Sequence, residues 1–277
     1  LKYWHFIKLM GRSASHVAIE VALQVKPAVC IISEEVAEKK MSLASIVEQI
    51  AQTVVLRSKK GMNYGVVLIP EGLIEFIPEM NTLIAELNDQ LAHHADAFAA
   101  LADADKAGFI QGKLSAANAA LLASLPAYVV KMLLADRDSH GNLQVSLIPT
   151  EQLLVDMVKA RVKQIEATVP FAAHCHFLGY EGRCGAPTLF DAAYTYNLGL
   201  TAGSLILDGR TGYMATVTDL TAGGKPQAIP LTGLLNIERR HGKDEFVIEK
   251  ALVKMDSKAM QYFVSRRAAW AAEDLFA

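Results

Sequence analysis

Cysteine is scarce. Cys30, Cys175 and Cys184 are the only three in 277 residues, too few and too scattered for a disulfide framework. The number is odd, no Cys-x-x-Cys spacing occurs and no secretory signal precedes them, so a reducing cytoplasm is the expected compartment. A dominant charge is also missing: 27 Lys and Arg against 29 Asp and Glu leave a net charge of −2, which offers no global field to nucleic acid or an acidic membrane. Neither partner is expected. Hydrophobic residues make up 52% and mean hydropathy is +0.24, yet the best uncharged runs, Leu114 to Val130 and Ala192 to Leu207, are interrupted by hydroxyl residues, Asn118, Pro126, Asn197 and glycines. That composition suits a soluble protein with large buried interfaces. No Gly-x-x-x-x-Gly-Lys-Ser/Thr or Gly-x-Gly-x-x-Gly occurs, and Gly223-Gly224-Lys225-Pro226 reads as a turn, so P-loop and dinucleotide readings have no support. Ser-His-Asp catalysis has no local signature either.

What is present is an alternation of short apolar runs with longer helical patterns, which implies an α/β fold: a Rossmann-like α/β/α layering on a largely parallel sheet. The expected strands are Tyr3 to Leu9, Val29 to Ser33, Tyr64 to Ile69, His174 to Leu178 and Leu205 to Leu207. Helices that cover the sheet are expected over Ser13 to Gln24, Ser42 to Arg57 and Thr150 to Glu166, where apolar residues recur at helical spacing. From about Leu83 to Leu134 the sequence turns alanine-rich and poor in β-branched runs, the texture of a helical insertion. The expected organisation is an α/β portion over 1–80 and 141–277 with a helical insertion over 81–140. Asp136 to Asn142 and Thr221 to Pro226 are the strongest turn clusters. The chain opens on Leu1 inside an apolar run, as a piece of something longer would.

Candidate chemistry falls at the ends of the strands. Met10-Gly11-Arg12 stands before the first helical pattern, where a glycine, a helix N-terminus and a guanidinium can hold a phosphate monoester, or where an ordinary turn and cap would stand. Glu71 follows the apolar run Gly65 to Pro70, at the carboxyl end where open α/β sheets place ligand-binding side chains. It can accept bonds from sugar hydroxyls or compensate the N-terminus of the next helix. Tyr180 and Arg183, with Gly182 between them, can aim a phenol and a guanidinium at one anion or form a loop salt bridge. His174 and His176 share one face of a strand with Cys175 opposite and Cys184 nearby, so zinc is an alternative, although the usual ligand set is incomplete. His16 and Glu20 share a helix face, where a surface or interhelix contact is the reading, and His93-His94 reads as a solvated loop or helix end.

Three blocks then occur in order: Lys2-Tyr3-Trp4-His5-Phe6-Ile7-Lys8-Leu9-Met10-Gly11-Arg12-Ser13-Ala14-Ser15-His16, Pro70-Glu71-Gly72-Leu73-Ile74-Glu75-Phe76-Ile77-Pro78-Glu79, and Gly179-Tyr180-Glu181-Gly182-Arg183. Together they resemble the phosphofructokinase family, most closely its long, pyrophosphate-dependent branch. Weaker similarity runs through Ile31 to Val36, Leu207 to Met214 and Gly223-Gly224.

The resemblance implies reversible phosphoryl transfer from pyrophosphate to the 1-hydroxyl of fructose 6-phosphate, with Mg2+, in glycolysis. It implies that Met10, Gly11 and Arg12 hold the sugar phosphate, that Glu71 binds sugar hydroxyls, and that Tyr180, Glu181, Gly182 and Arg183 close the phosphate pocket. It also implies that Lys2 and Tyr3 reach a neighbour's site in a homodimer or larger assembly. The family's Gly-Gly-Asp loop and its Pro-Lys-Thr-Ile-Asp-Gly-Asp loop, whose first aspartate is the general base, are expected before Lys2 and occur nowhere in the chain. The chain is therefore expected to carry the acceptor site with no catalytic base or metal ligand of its own, and to be inactive alone. An ATP-dependent relative and a non-catalytic regulatory subunit are the alternatives.

Overall fold

The computed structural model describes residues 2–11, 14–135, 143, 147–240, 243–248 and 250–275. They fall into two compact units, Leu1–Arg183 with Ala251–Ala277, and Cys184–Lys250.

Four strands build the larger unit: β1 Trp4–Leu9, β2 Val29–Cys30, β3 Gly65–Pro70 and β4 Ala173–Leu178. They pair in parallel in the order β2-β3-β1-β4. Side chains alternate across a strand, so each strand feeds two cores. Trp4 and Phe6 of β1 join Val67 and Ile69 of β3 in one core, while Leu9, Cys30 and Leu68 join the other.

Helices cover both faces. Along the chain the helices are α1 His16–Val25, α2 Ser33–Glu38, α3 Leu43–Lys59, α4 Leu73–Phe76 and α5 Pro78–His93. The alanine-rich stretch continues as α6 Ala95–Ala99, α7 Asp103–Gln111, α8 Ala116–Ser124 and α9 Ala127–Leu133. Next come α10 Thr150–Ile165, α11 Leu189–Leu207 of the smaller unit, and α12 Lys258–Ala272. α3, α5 and α10 pack on the Trp4 face, and α1 and α12 on the Leu9 face. α3 shows why: the Ser42 hydroxyl caps its first turn by accepting from Ser45 N, and Leu43, Ile46, Val47, Ile50 and Val54 form a buried stripe at helical spacing. Burying each such side chain contributes about 1.5–3 kcal/mol.

The segment after the smaller unit is tied back by charge. Arg57 is buried and donates Nη1 to the carbonyls of Ala271 and Glu273 at the end of α12 and Nε to that of Tyr64. A guanidinium there satisfies carbonyls that a helix terminus leaves open.

The smaller unit holds α11, the antiparallel pair β5 Tyr213–Thr218 and β6 Lys225–Pro230, and the antiparallel pair β7 Leu235–Arg240 and β8 Lys243–Ile248. Gly223 and Gly224, both at positive φ, make the turn between β5 and β6. α11 starts at a capping box in which Thr188 and Asp191 satisfy each other's backbone.

Several expectations are corrected. Leu205 to Leu207 is the last turn of α11, not a strand. The strand expected over Val29 to Ser33 ends at Cys30: one further ladder bond, Ile31 N to Leu68 O, follows before Ser33 opens α2. The helix expected from Ser13 begins at His16. The turn cluster Asp136 to Asn142 lies outside the described residues. No helix among the described residues is long and apolar enough to cross a membrane.

Candidate functional site

Parallel strands put all their carboxyl ends on one edge of the sheet, and β3, β1 and β4 are neighbours. Met10-Gly11 therefore lies between Glu71 on one side and the Gly179 to Arg183 turn on the other. Two backbone bonds prolong the ladders past the strands: Glu71 N donates to Leu9 O, and Met10 N to Leu178 O, both at 3.0 Å. After β1 the chain crosses to α1 on one face, and after β3 to α4 and α5 on the other. The carboxyl ends of β1 and β3 thus flank a topological switch point, where open α/β sheets form their ligand crevice.

At that crevice Glu71, 5% exposed, accepts the Gly11 N–H on Oε2 at 2.8 Å. Gly11 has φ +149, and a Cβ there would stand 3.2 Å from Ala14 O, so the turn favours glycine. Arg12 and Ser13 lie outside the described residues. The helix expected beside them starts later, at His16, and the N–H of its N-cap is taken: Ser15 N donates to Glu34 Oε1, which also accepts from Val253 N. Tyr180–Arg183 forms one turn of 3-10 helix, with Gly182 N bonded to Gly179 O. A Cβ at Gly182 would approach the Leu178 Cβ to 3.1 Å. Tyr180 is 75% exposed, and Glu181, Gly182 and Arg183 are exposed beside it.

Lys2 and Tyr3 are not part of this group. They lie at the opposite end of β1, and six residues of strand span about 20 Å. Tyr3 instead packs edge-on against His174, with ring centroids 4.5 Å apart.

Lys8 is not among the candidates singled out in the sequence. Only 2% exposed, it donates Nζ to Ile148 O at 2.8 Å, lies 3.3 Å from Glu151 Oε2 and stands 4.6 Å from the Phe177 ring centroid. It joins β1, β4 and the start of α10 two residues before Met10 and two before Gly179, so it braces the base of the crevice.

The histidines behave as a surface cluster. His174 and His176 share the expected face, with Cys175 turned the other way, and His5 joins them from β1, its Nδ1 2.9 Å from His176 Nε2. Burial and the neighbouring His176 and His174 lower the His5 pKa. Burial and the nearby carboxylates push the Cys175 thiol up to about 11, which suits an inert side chain. His16 bonds to Ala251 O. Among the described residues no group of three or more His, Cys, Asp or Glu side chains is arranged to hold a metal ion.

No family model matches the chain. Curated proteins do. It is 50% identical over 278 aligned positions to the pyrophosphate–fructose 6-phosphate 1-phosphotransferase of Treponema pallidum, covering 98% of this chain and 48% of that protein. The chain is homologous to part of that phosphotransferase. The Entamoeba histolytica protein of the same name is 46% identical, with 99% of this chain and 51% of the relative covered. The beta subunit of the Solanum tuberosum phosphotransferase is 44% identical, with 99% and 48% covered. The chain thus spans about half the length of the curated phosphotransferases it matches.

Proposed function

We propose that the full-length protein containing this chain transfers a phosphoryl group reversibly between pyrophosphate and the 1-hydroxyl of fructose 6-phosphate, and that this chain supplies the fructose 6-phosphate site. One observation carries the reading: Gly11, Glu71 and the Gly179 to Arg183 turn, far apart in sequence, stand at the carboxyl ends of three adjacent parallel strands. The names of the relatives supply the substrate class.

In this reading Met10, Gly11 and Arg12 with Tyr180, Glu181, Gly182 and Arg183 bind the phosphate ester, and Glu71 meets the sugar hydroxyls. Such clamps raise the rate by fixing the acceptor in line, which together with charge neutralisation accounts for most phosphoryl-transfer catalysis. Lys2 and Tyr3, at the far end of β1, serve a second subunit, so the enzyme is a homodimer or larger, working in cytoplasmic glycolysis. Magnesium would neutralise the transferring phosphates. The described residues offer no ligand cluster for it. The test is to assay the full-length protein with fructose 6-phosphate and, in parallel, pyrophosphate or ATP. Turnover with pyrophosphate supports the reading; turnover with ATP alone, or with neither, overturns it.

A further inference from the structure

Two carboxylates hold the turn that leads from β1 to α1. Glu71, which follows β3, accepts from Gly11 N at the entry, and Glu34, which follows β2 in the first turn of α2, accepts from Ser15 N at the exit, at 3.0 Å. The tie at Ser15 is reciprocal. Ser15 Oγ accepts from Ser33 N at 2.9 Å, and so caps α2, whose own N-cap residue, Ile32, has no side-chain acceptor. The chain returning from the smaller unit at Ala251 joins the same knot: Val253 N donates to Glu34 Oε1 at 2.9 Å, and His16 Nε2 to Ala251 O at 3.0 Å. Ser15, Ser33 and Glu34 are buried, so water cannot replace a lost bond. Glu34 Oε2 has no hydrogen-bond partner among the described residues, and a single oxygen therefore joins the start of α1 to the returning chain.

We propose that Glu34 is a positioning residue for the sugar phosphate, acting through the start of α1 and not on the ligand. By holding Ser15 it fixes the exit of the turn that carries Met10, Gly11 and Arg12, and by holding Val253 it sets that exit against the point where the chain re-enters from the smaller unit. A binding group works at full strength only when its support keeps it in place to a fraction of an ångström. The inference rests on the proposed sugar-phosphate site and adds to it a residue that stands outside the pocket. What the role requires of Glu34 is the reach of Oε1 to two N–H groups; its charge, with Oε2 unpartnered, is secondary.

The experiment compares Glu34→Asp, which keeps the charge but shortens the reach, with Glu34→Gln, which keeps the reach but loses the charge. Michaelis constants for fructose 6-phosphate and pyrophosphate are measured on the full-length protein, with folding checked by circular dichroism. Glu34→Asp should raise the constant for fructose 6-phosphate about tenfold and that for pyrophosphate by less than about twofold, and Glu34→Gln should stay within about threefold of the wild type for both. Arg267→Met is the control: it removes the two-point bond from α12 to the neighbouring Glu35, loosens the same segment and should leave both constants unchanged. An unchanged constant in folded Glu34→Asp would reduce Glu34 to a structural tie and overturn the role. A Glu34→Gln protein as impaired as Glu34→Asp would overturn it as well, and so would an equal rise in Arg267→Met, which would mark general loosening. A wild-type protein that shows no saturable turnover of fructose 6-phosphate refutes the site reading itself, whereas a saturable wild type with an unaffected Glu34→Asp refutes only the positioning role.

Discussion

Arg267 on α12 donates from both terminal nitrogens to the Glu35 carboxylate on α2, at 2.7 and 2.9 Å. This two-point bond holds the segment that follows Lys250 against the sheet, together with Arg57. Burial raises the Glu35 pKa, but hydrogen bonds and charge from Arg267 and Lys39 outweigh it, and the net shift is downward. A carboxylate lowered on folding stabilises above its usual pKa of about 4.3, and that stability is lost as pH falls through the folded value. Arg267→Met should therefore lower unfolding stability by about 2 kcal/mol at pH 7, less than for a fully buried pair because Arg267 keeps 29% of its side chain exposed. Urea titrations at pH 7 and pH 3 check it: the deficit should shrink at pH 3, and an equal deficit would assign the loss to packing.

Lys8 and Glu151 should prove strongly coupled. Lys8→Met strands a nearly buried carboxylate, and one broken partner of a buried pair costs about 3–5 kcal/mol. Adding Glu151→Gln should restore at least about 1 kcal/mol. A denaturation double-mutant cycle measures this, and strict additivity would mean that the two charges do not sense each other.

The position of Tyr3, about a strand's length from Gly11, predicts complementation between subunits. Two inactive full-length variants, Tyr3→Ala and Arg12→Ala, are dissociated, mixed and reassociated. A mixed dimer then carries one intact site, and partial activity should return. Verified mixed dimers with no recovery would place the whole pocket within one subunit.

The sheet was largely legible because β1, β3 and β4 are apolar runs closed by Pro70, Gly179 and other turn residues. The three apolar residues Leu205 to Leu207 mislead because so short a run has no period; their helix is specified at its far end, by the Thr188 and Asp191 cap. Met10-Gly11, Glu71 and Tyr180 to Arg183 were each visible as motifs, but their meeting was not. The Gly11 to Glu71 bond depends on β1 and β3 being neighbours, a property of topology. Lys8 falls by alternation on the Trp4 and Phe6 side of β1, and the partners that accept its buried charge, Ile148 O and the Glu151 carboxylate, come from a segment about 140 residues away. The displaced start of α1 also has a distant cause, since the carboxylate of Glu34 engages Ser15 N.

The most direct measurement uses Arg183→Lys in the full-length protein, with Michaelis constants determined separately for fructose 6-phosphate and pyrophosphate. Lysine keeps the charge but loses the bidentate fork, and a hydrogen bond to a charged group contributes about 1.5–3 kcal/mol. If this chain supplies the sugar-phosphate site, the constant for fructose 6-phosphate should rise about tenfold or more, while that for pyrophosphate changes by less than about twofold. An unchanged constant for fructose 6-phosphate, or an equal rise in both, would contradict it.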